Sequence, residues 1–148
     1  MPLSNLEVSI EINRPLKEVV AFVDDCNHDP LWQTAVLESR KITLGEPQAG
    51  TIYHVKEKFL GRVLEQDWEV LERNEDGSFW RAKAKASAFP METTMKFEST
   101  EGGTRITRRL NVDVGKFFKL ASPVVGHITK RELQMDFANL KELMESGI

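Results

Sequence analysis

Cysteine is nearly absent from the sequence, since Cys26 is the only one in 148 residues. A lone cysteine cannot form an internal disulfide, so a reducing, cytoplasmic compartment is the simpler expectation. Long apolar runs are also missing, because no stretch approaches the roughly 20 residues that a membrane-spanning helix needs. The first residues lack the basic and apolar regions of a signal peptide. These absences predict a protein without stable membrane insertion.

Charge of one sign is not in excess either. The chain carries 20 basic and 23 acidic residues and a net charge of -3. Nucleic-acid-binding domains usually concentrate basic residues, so we expect no nucleic-acid partner. The three histidines stand at no spacing typical of metal ligands, and no glycine-rich loop joins a strand to a helix. The sequence therefore predicts no metal site and no cofactor, and it leaves the oligomeric state open.

Hydrophobic alternation is present from the start of the chain. Leu6–Ile12 alternates apolar and polar residues, which predicts a strand with one buried face. Asn13 is a candidate helix cap and Pro15 suits a first helical turn. A short helix should follow over Val19 and its neighbours, and a second one over residues 30–35.

A run of strands and then one helix fill the rest of the chain. Six strands are predicted over residues 37–44, 51–60, 62–72, 78–88, 91–100 and 104–114. Asp76-Gly77 is a typical hairpin turn between two of them. Apolar residues then recur at mostly helical spacings, which predicts one long helix to about Glu145. The apolar face contains Val125, Ile128, Leu133, Phe137, Leu140 and Met144. The helix is predicted from residue 128 onward, and the segment before it is left open. The order predicts an α+β fold of one domain, 1–148, in which an antiparallel sheet of about seven strands curves around the long helix.

Alanines mark the inner face of the strand that begins at Ser78. Arg81, Lys83 and Lys85 share one face, and Trp80, Ala82, Ala84, Ala86 and Ala88 share the other. Because protein interiors are filled to nearly crystalline density, several inward alanines leave space. Either neighbouring large side chains fill that space, or it is a cavity. We favour a cavity between the sheet and the C-terminal helix.

Three polar residues share the apolar inner faces: Glu57, Gln66 and Arg108. Buried charges are costly unless paired, so they are either structural, for example as a Glu57–Arg108 salt bridge, or groups that orient a ligand. Alternation does not decide whether Tyr53 and Glu57 point inward, because the opposite face of their strand also contains an apolar residue, Ile52. The candidate ligand-binding residues are Tyr53, Glu57, Gln66, Trp68, Trp80, Ala82, Ala84, Met95, Arg108 and Phe137.

Several short motifs follow one another along the chain in an order that is typical of one protein superfamily. They are Ile12-Asn13-Arg14-Pro15, Glu18-Val19-Val20-Ala21-Phe22, Asp29-Pro30-Leu31-Trp32, Gly50-Thr51 and Gly102-Gly103-Thr104-Arg105-Ile106-Thr107. Together they resemble the START-like or SRPBCC superfamily, and within it the polyketide cyclase/dehydrase and lipid-transport group. The resemblance covers nearly the whole chain and implies a helix-grip fold that binds lipids, sterols, polyketides or other apolar molecules.

Three functions follow as hypotheses. The favoured one is a binding or transport protein for a small hydrophobic ligand. The second is a cyclase or dehydratase-type enzyme in which Glu57, Arg108 or Tyr53 moves protons or stabilises charge. The third is a protein-interaction module. No catalytic motif stands out, so no catalytic residue is assigned.

Overall fold

The computed structural model describes residues 6–59, 61–86, 90–112 and 122–147. Its strands are β1 Leu6–Ile12, β2 Val36–Lys41, β3 Ile52–Phe59, β4 Arg62–Arg73, β5 Phe79–Ala86, β6 Met91–Thr100 and β7 Gly103–Val112. Its helices are α1 Leu16–Asp24, α2 Asp29–Trp32 and α3 Ser122–Glu145, with a 3-10 turn at Cys26–His28 between the first two. This order confirms the predicted α+β architecture.

The seven strands form one antiparallel sheet in the order β1-β7-β6-β5-β4-β3-β2. Strands β2 to β7 make a meander, and β1 then pairs with β7, where Ile10 lies opposite Ile106. The sheet is curled into a half-barrel that holds α3, which confirms the helix-grip fold. Among the described helices, none is long and apolar enough to cross a membrane.

Helix α3 extends the predicted helix into the segment before residue 128, which the sequence had left open. It starts at Ser122, so Pro123 falls in the first turn, where a missing N–H costs nothing. Ile128 is 42% exposed and does not belong to the inner face, contrary to the prediction. The expected end of the last strand at 113–114, the segment 115–121 and Ala88 lie outside the described residues.

The predicted cap at Asn13 is wrong. Pro15 occupies the N-cap position of α1, and no side chain caps that helix. The backbone N–H of Asn13 instead donates to Glu145 Oε2 at 2.8 Å, and Arg14 Nη2 donates to the carbonyl of Glu145 at 3.0 Å. This segment therefore attaches the end of β1 to the end of α3. The second short helix also ends earlier than predicted, at Trp32.

A close backbone approach fixes the start of β7. Gly103 has φ +148°, and a Cβ there would lie 2.2 Å from the carbonyl oxygen of Ile12. The next residue, Thr104, is fully buried and donates its hydroxyl to the Arg14 carbonyl at 2.8 Å. Only glycine fits this position without moving backbone, which explains the Gly-Gly-Thr sequence.

The core lies between α3 and the half of the sheet that contains β1, β6 and β7. Leu133, Phe137, Leu140 and Met144 of α3 are buried in one cluster with residues such as Ile12 and Ile106. Trp32 of α2 stacks on Phe137, with ring centroids 6.2 Å apart. The other half of the sheet, which includes β3, β4 and β5, is covered by α1 and α2, and a cavity lies beneath them.

Candidate functional site

A cavity of about 140 Å³ lies between the sheet and the α1–α2 segment. Its sheet walls include Tyr53, Val55, Trp68, Val70, Trp80, Ala82 and Met95, and its helical wall includes Val23, Asp29 and Trp32. A second hollow of about 80 Å³ lies under α3, bounded by Thr129, Glu132, Leu133 and Asp136. The larger cavity is thus next to α1 and α2, and only the smaller one is bounded by the C-terminal helix as predicted.

The two hollows meet at shared residues. Both are lined by Gln33, Val36, Glu57, Trp68 and Arg108. Two oppositely charged side chains, Glu57 and Arg108, therefore lie where the cavity against α1–α2 adjoins the hollow under α3.

Seven of the ten candidate residues lie together in the larger cavity: Tyr53, Glu57, Trp68, Trp80, Ala82, Met95 and Arg108. Tyr53 and Glu57 therefore face inward, which the alternation had left open. The other three lie apart from the linings of both hollows. Gln66 is buried and donates its amide to Glu57, Ala84 lies opposite Trp68 in the sheet, and Phe137 is in the core against Trp32.

Arg108 projects from β7 into both hollows and is held by neutral groups. Its Nε donates to Thr93 Oγ1 at 3.2 Å, and its Nη1 lies 3.4 Å from Gln33 Oε1. Burial lowers the pKa of Arg108, while the nearby carboxyl groups of Asp136, Glu57, Asp29 and Glu132 oppose that shift. Within the described part of the chain no carboxylate forms an ion pair with it, so the direct Glu57–Arg108 salt bridge is not formed.

Glu57 projects from β3 beside Arg108. It accepts a hydrogen bond from the side-chain amide of Gln66, a residue that is 2% exposed. Burial raises the pKa of Glu57, and the Arg108 charge and the Gln66 hydrogen bond only partly offset this. A carboxyl group with a raised pKa near a cation is suited to proton transfer and to hydrogen bonding with a ligand.

Two further carboxyl groups enter the smaller hollow from α3. Asp136 is 4% exposed, and its Oδ1 accepts from the backbone N–H of Thr34 at 2.9 Å and from its hydroxyl at 3.1 Å. Burial raises the pKa of Asp136. Burial, followed by Asp136 and Glu57, raises the pKa of Glu132 to about 7. Helical apolar spacing had marked only Leu133 and Phe137 nearby, so sequence analysis missed both acids.

The α2 end of the larger cavity has its own polar groups. Burial raises the pKa of Asp29 to about 6, and the Ser39 hydroxyl and Arg108 oppose the shift. Burial also raises the pKa of Tyr53 to about 12, which keeps its hydroxyl protonated. Sequence analysis had named Trp32 only within a motif and had not placed it, because short helices and turns have no periodicity that assigns a face.

An ion pair joins this wall to the sheet. Arg73 at the end of β4 binds both carboxylate oxygens of Asp24, at 2.8 and 2.7 Å, and both residues line the larger cavity. A bidentate pair of this kind fixes the position of α1 over the sheet. Across the described residues no three His, Cys, Asp or Glu side chains are grouped as metal ligands.

A family model for polyketide cyclase/dehydrase and lipid transport proteins matches residues 4–145. The chain belongs to this family. The helix-grip fold found here fits a hydrophobic ligand-binding domain of the polyketide cyclase/dehydrase and lipid transport family. No curated protein sequence matches the chain.

Solved structures agree on the fold of this family member. A protein from Thermus thermophilus has a TM-score of 0.82 at 17% identity, covering 97% of this chain and 99% of that one. A START superfamily protein from Mycobacterium smegmatis has a TM-score of 0.81 at 14% identity, covering 96% and 97%. The Zhui aromatase/cyclase from Streptomyces sp. R1128 has a TM-score of 0.79 at 9% identity, covering 98% and 94%. At these identities the likeness shows the fold alone.

Proposed function

We propose that this chain, as one domain over residues 1–148, binds or transports a small hydrophobic molecule, such as a lipid, sterol or polyketide-like compound, in the internal cavity. The observation that supports this most is the cavity itself, whose surface is mainly apolar and is formed in large part by aromatic and aliphatic side chains. Trp68, Trp80 and Met95 supply apolar contact. Polar groups stand at two places, with Glu57 and Arg108 where the hollows meet and Asp29 at the α2 end. Ligand sites typically combine a mainly apolar lining with a small number of placed polar groups.

The size of the cavity limits what it holds without rearrangement. The two adjoining hollows measure about 140 and 80 Å³, whereas ligand sites begin at roughly 300 Å³. We therefore expect either a compact ligand or a ligand that widens the cavity. The Arg73–Asp24 ion pair belongs to the wall that would have to move.

The first test is recovery of a bound molecule. Native mass spectrometry of the purified chain should show a mass increment, and organic extraction should release an apolar compound. Saturable binding of that compound should change the fluorescence of Trp68 and Trp80, which line the cavity.

A cavity-filling variant makes this test specific. Ala82 is 4% exposed and lines the cavity, so Ala82→Leu should lower affinity roughly tenfold, equivalent to about 1.4 kcal/mol. Lys83→Leu is the matched control, because Lys83 is the next residue and is exposed on the opposite face. Equal binding by Ala82→Leu and the wild type, with both folded, would place the ligand elsewhere.

An enzymatic function is the second candidate, supported by Glu57 and Arg108. A carboxyl group with a raised pKa can move a proton, while an arginine free of carboxylate contacts can stabilise an oxyanion such as an enolate. These roles suit cyclisation or dehydration of a polyketide-like substrate. Turnover of a poly-β-ketone analogue that is lost in Glu57→Gln, with ligand binding retained, would support the enzyme over the carrier.

The expected compartment is part of the proposal. Cys26 is a free, partly buried cysteine, and burial is the main cause that raises the pKa of its thiol. A free thiol of this kind fits a carrier in the reducing cytoplasm. Fractionation of cells that express the tagged chain tests this directly.

A further inference from the structure

Acidic side chains outnumber basic ones among the described residues that line the larger cavity. The acids of this lining are Asp24, Asp29 and Glu57, and the bases are Arg73 and Arg108. Arg73 holds both carboxylate oxygens of Asp24, at 2.8 and 2.7 Å, so this pair is neutral as a whole. Two carboxyl groups, those of Asp29 and Glu57, therefore remain for one cation, Arg108.

Arg108 already has an excess of carboxyl groups around it. Four acids lie near its guanidinium: Asp136, Glu57, Asp29 and Glu132. Among the described residues it donates to neutral side chains and forms no ion pair with these acids. A ligand carboxylate would be a fifth acid beside one guanidinium, and the other four would repel it. The charges of the cavity thus disfavour an anionic ligand.

The other described cations near the cavity do not remove this excess. Lys58 lines the smaller hollow, but it is exposed, so water screens its charge. His28 directly precedes Asp29, and its Nε2 lies 3.6 Å from Asp25 Oδ2, so a proton on His28 is balanced by Asp25. The carboxyl groups of Asp29 and Glu57 still lack a cation of their own.

Aromatic rings lie in the same cavity as these acids. Tyr53, Trp68 and Trp80 line it and are only partly buried. Tyr53 is directly opposite Trp68 in the β3–β4 register, so their side chains are neighbours. Burial raises the pKa of Tyr53 to about 12, and Asp29 adds to that shift, so Asp29 is close to the Tyr53 hydroxyl. The face of an aromatic ring attracts a cation, most of all where water is excluded.

We propose that the ligand of the larger cavity carries a protonated amine on a compact apolar body, with Asp29 and Glu57 as the counter-charges. The rings of Tyr53 and Trp68 would lie beside the ammonium group, and the apolar body would contact the rest of the lining. The inference rests on the proposed ligand binding and specifies its chemical class. It accounts for the acid excess, because the ligand supplies the cation that the lining lacks.

The two acids can carry this charge at mildly alkaline pH. Burial raises the pKa of Asp29 to about 6, so its carboxyl group is mostly ionised at about pH 8. Burial also raises the pKa of Glu57, and a neighbouring ammonium group favours the ionised form of such a carboxyl group. An alkylamine is still protonated at about pH 8, which makes this pH suitable for the test.

The test compares hexylamine, hexanol and hexanoate, which have the same chain length and differ in charge. Titration calorimetry of the purified full chain at about pH 8 measures the dissociation constant of each compound. Hexylamine should bind at least about tenfold more tightly than hexanol, because charge pairing and ring contacts add to the same apolar contact. Hexanoate should bind more weakly than hexanol.

Two variants test the named acids. Asp29→Asn and Glu57→Gln remove the charge with little change of shape, and each should weaken hexylamine binding about tenfold while changing hexanol binding by less than about twofold. Glu142→Gln is the matched control, because Glu142 is exposed on α3, and it should bind all three compounds like the wild type. Circular dichroism checks that every variant is folded.

Binding of hexanol or hexanoate that equals or exceeds binding of hexylamine would overturn the inference and leave the proposed binding function intact. The same holds if hexylamine affinity is unchanged in both variants, or if the compound recovered with the purified chain has no basic nitrogen. Failure of all three compounds to bind, with no apolar molecule recovered, would count against the proposed function as well as against the amine.

Discussion

At the scale of single residues, charged side chains in the cavity and on the outer face of the sheet have different hydrogen-bond partners. Arg108 donates to Thr93 and Gln33, which are neutral, and forms no ion pair with the four carboxyl groups near it. Outside, Arg81 binds both Glu72 and Glu92 across neighbouring strands. The exterior arrangement stabilises the sheet modestly, and the interior one leaves polar groups available to a ligand.

His54 on the outer face gives a residue-scale prediction. Its Nδ1 lies 2.6 Å from Asp67 Oδ1 and its Nε2 lies 3.0 Å from Glu65 Oε1. These hydrogen bonds, Asp67 first, raise the pKa of His54 above its ordinary value. The imidazolium is thus favoured in the folded state. Its contribution to stability is fully present below about pH 6.5 and is lost as the pH rises through the folded pKa.

An NMR titration of the imidazole protons checks this. The Asp67→Asn variant should shift the His54 midpoint to lower pH, while Glu142→Gln, an exposed change on α3, should leave it unchanged. A wild-type midpoint at or below about 6.5 contradicts the assignment.

The residue scale also shows what alternation can and cannot predict. Trp80 and Ala82 were assigned inward because lysines and an arginine occupy the opposite face of the same strand. Glu132 was not found, because a charged residue on a helix is most often solvent-exposed and no neighbouring position contradicted that. Asp29 lies in a four-residue helix, which is too short for a periodic pattern.

At the scale of elements, α3 is held to the fold by a few large side chains on its inner face. Phe137 is 1% exposed and stacks on Trp32, which itself is 2% exposed, so this ring contact helps to join α3 to α2. Sequence periodicity predicted that Phe137 is inward but placed it in the ligand site. It lies instead in the core, because Trp32 fills the space beside it.

Phe137→Ala should therefore destabilise the fold by about 3–5 kcal/mol, the usual effect of removing a buried aromatic ring. Met135, two residues earlier, is 51% exposed, so Met135→Ala should change stability by less than about 0.5 kcal/mol. Urea denaturation measures both. Similar losses in the two variants would mean that the inner face of α3 is assigned wrongly.

At the scale of the whole molecule, the buried carboxyl groups should make stability depend on pH. The pKa of Glu132 rises from 4.5 to about 7, and that of Asp29 from 3.8 to about 6. The folded state then binds these protons more tightly than the unfolded state. Their contribution is present at low pH and is lost as the pH rises, between about 4.5 and 7 for Glu132.

The variant Glu132→Gln removes one of these groups without changing its shape much. The melting temperature of the variant minus that of the wild type should be larger at about pH 8 than at about pH 4. Thermal unfolding at both pH values provides the measurement, with Glu142→Gln as the exposed control on the same helix. A difference that is independent of pH would show that Glu132 is well solvated.

The global fold was predictable because strand alternation, turn residues and a helical period follow one another along the chain. The position of the cavity was not predictable, because it depends on how α1 and α2 cover the sheet. The Arg73–Asp24 ion pair, which attaches α1 to the sheet, joins residues 49 positions apart in the sequence. Such long-range pairs leave no local pattern.

The residues shared by the two hollows have a consequence for the length of a bound molecule. Glu57 and Arg108 belong to both linings. Under the proposed ligand binding, a short compound would occupy one hollow and meet these charges only at its end. A longer chain that reaches both hollows has to pass these charges along its middle, where an alkyl segment would desolvate them without compensation. In a homologous series of alkyl compounds, affinity should then rise with the number of carbons. It should fall abruptly once the chain is long enough to pass Glu57 and Arg108.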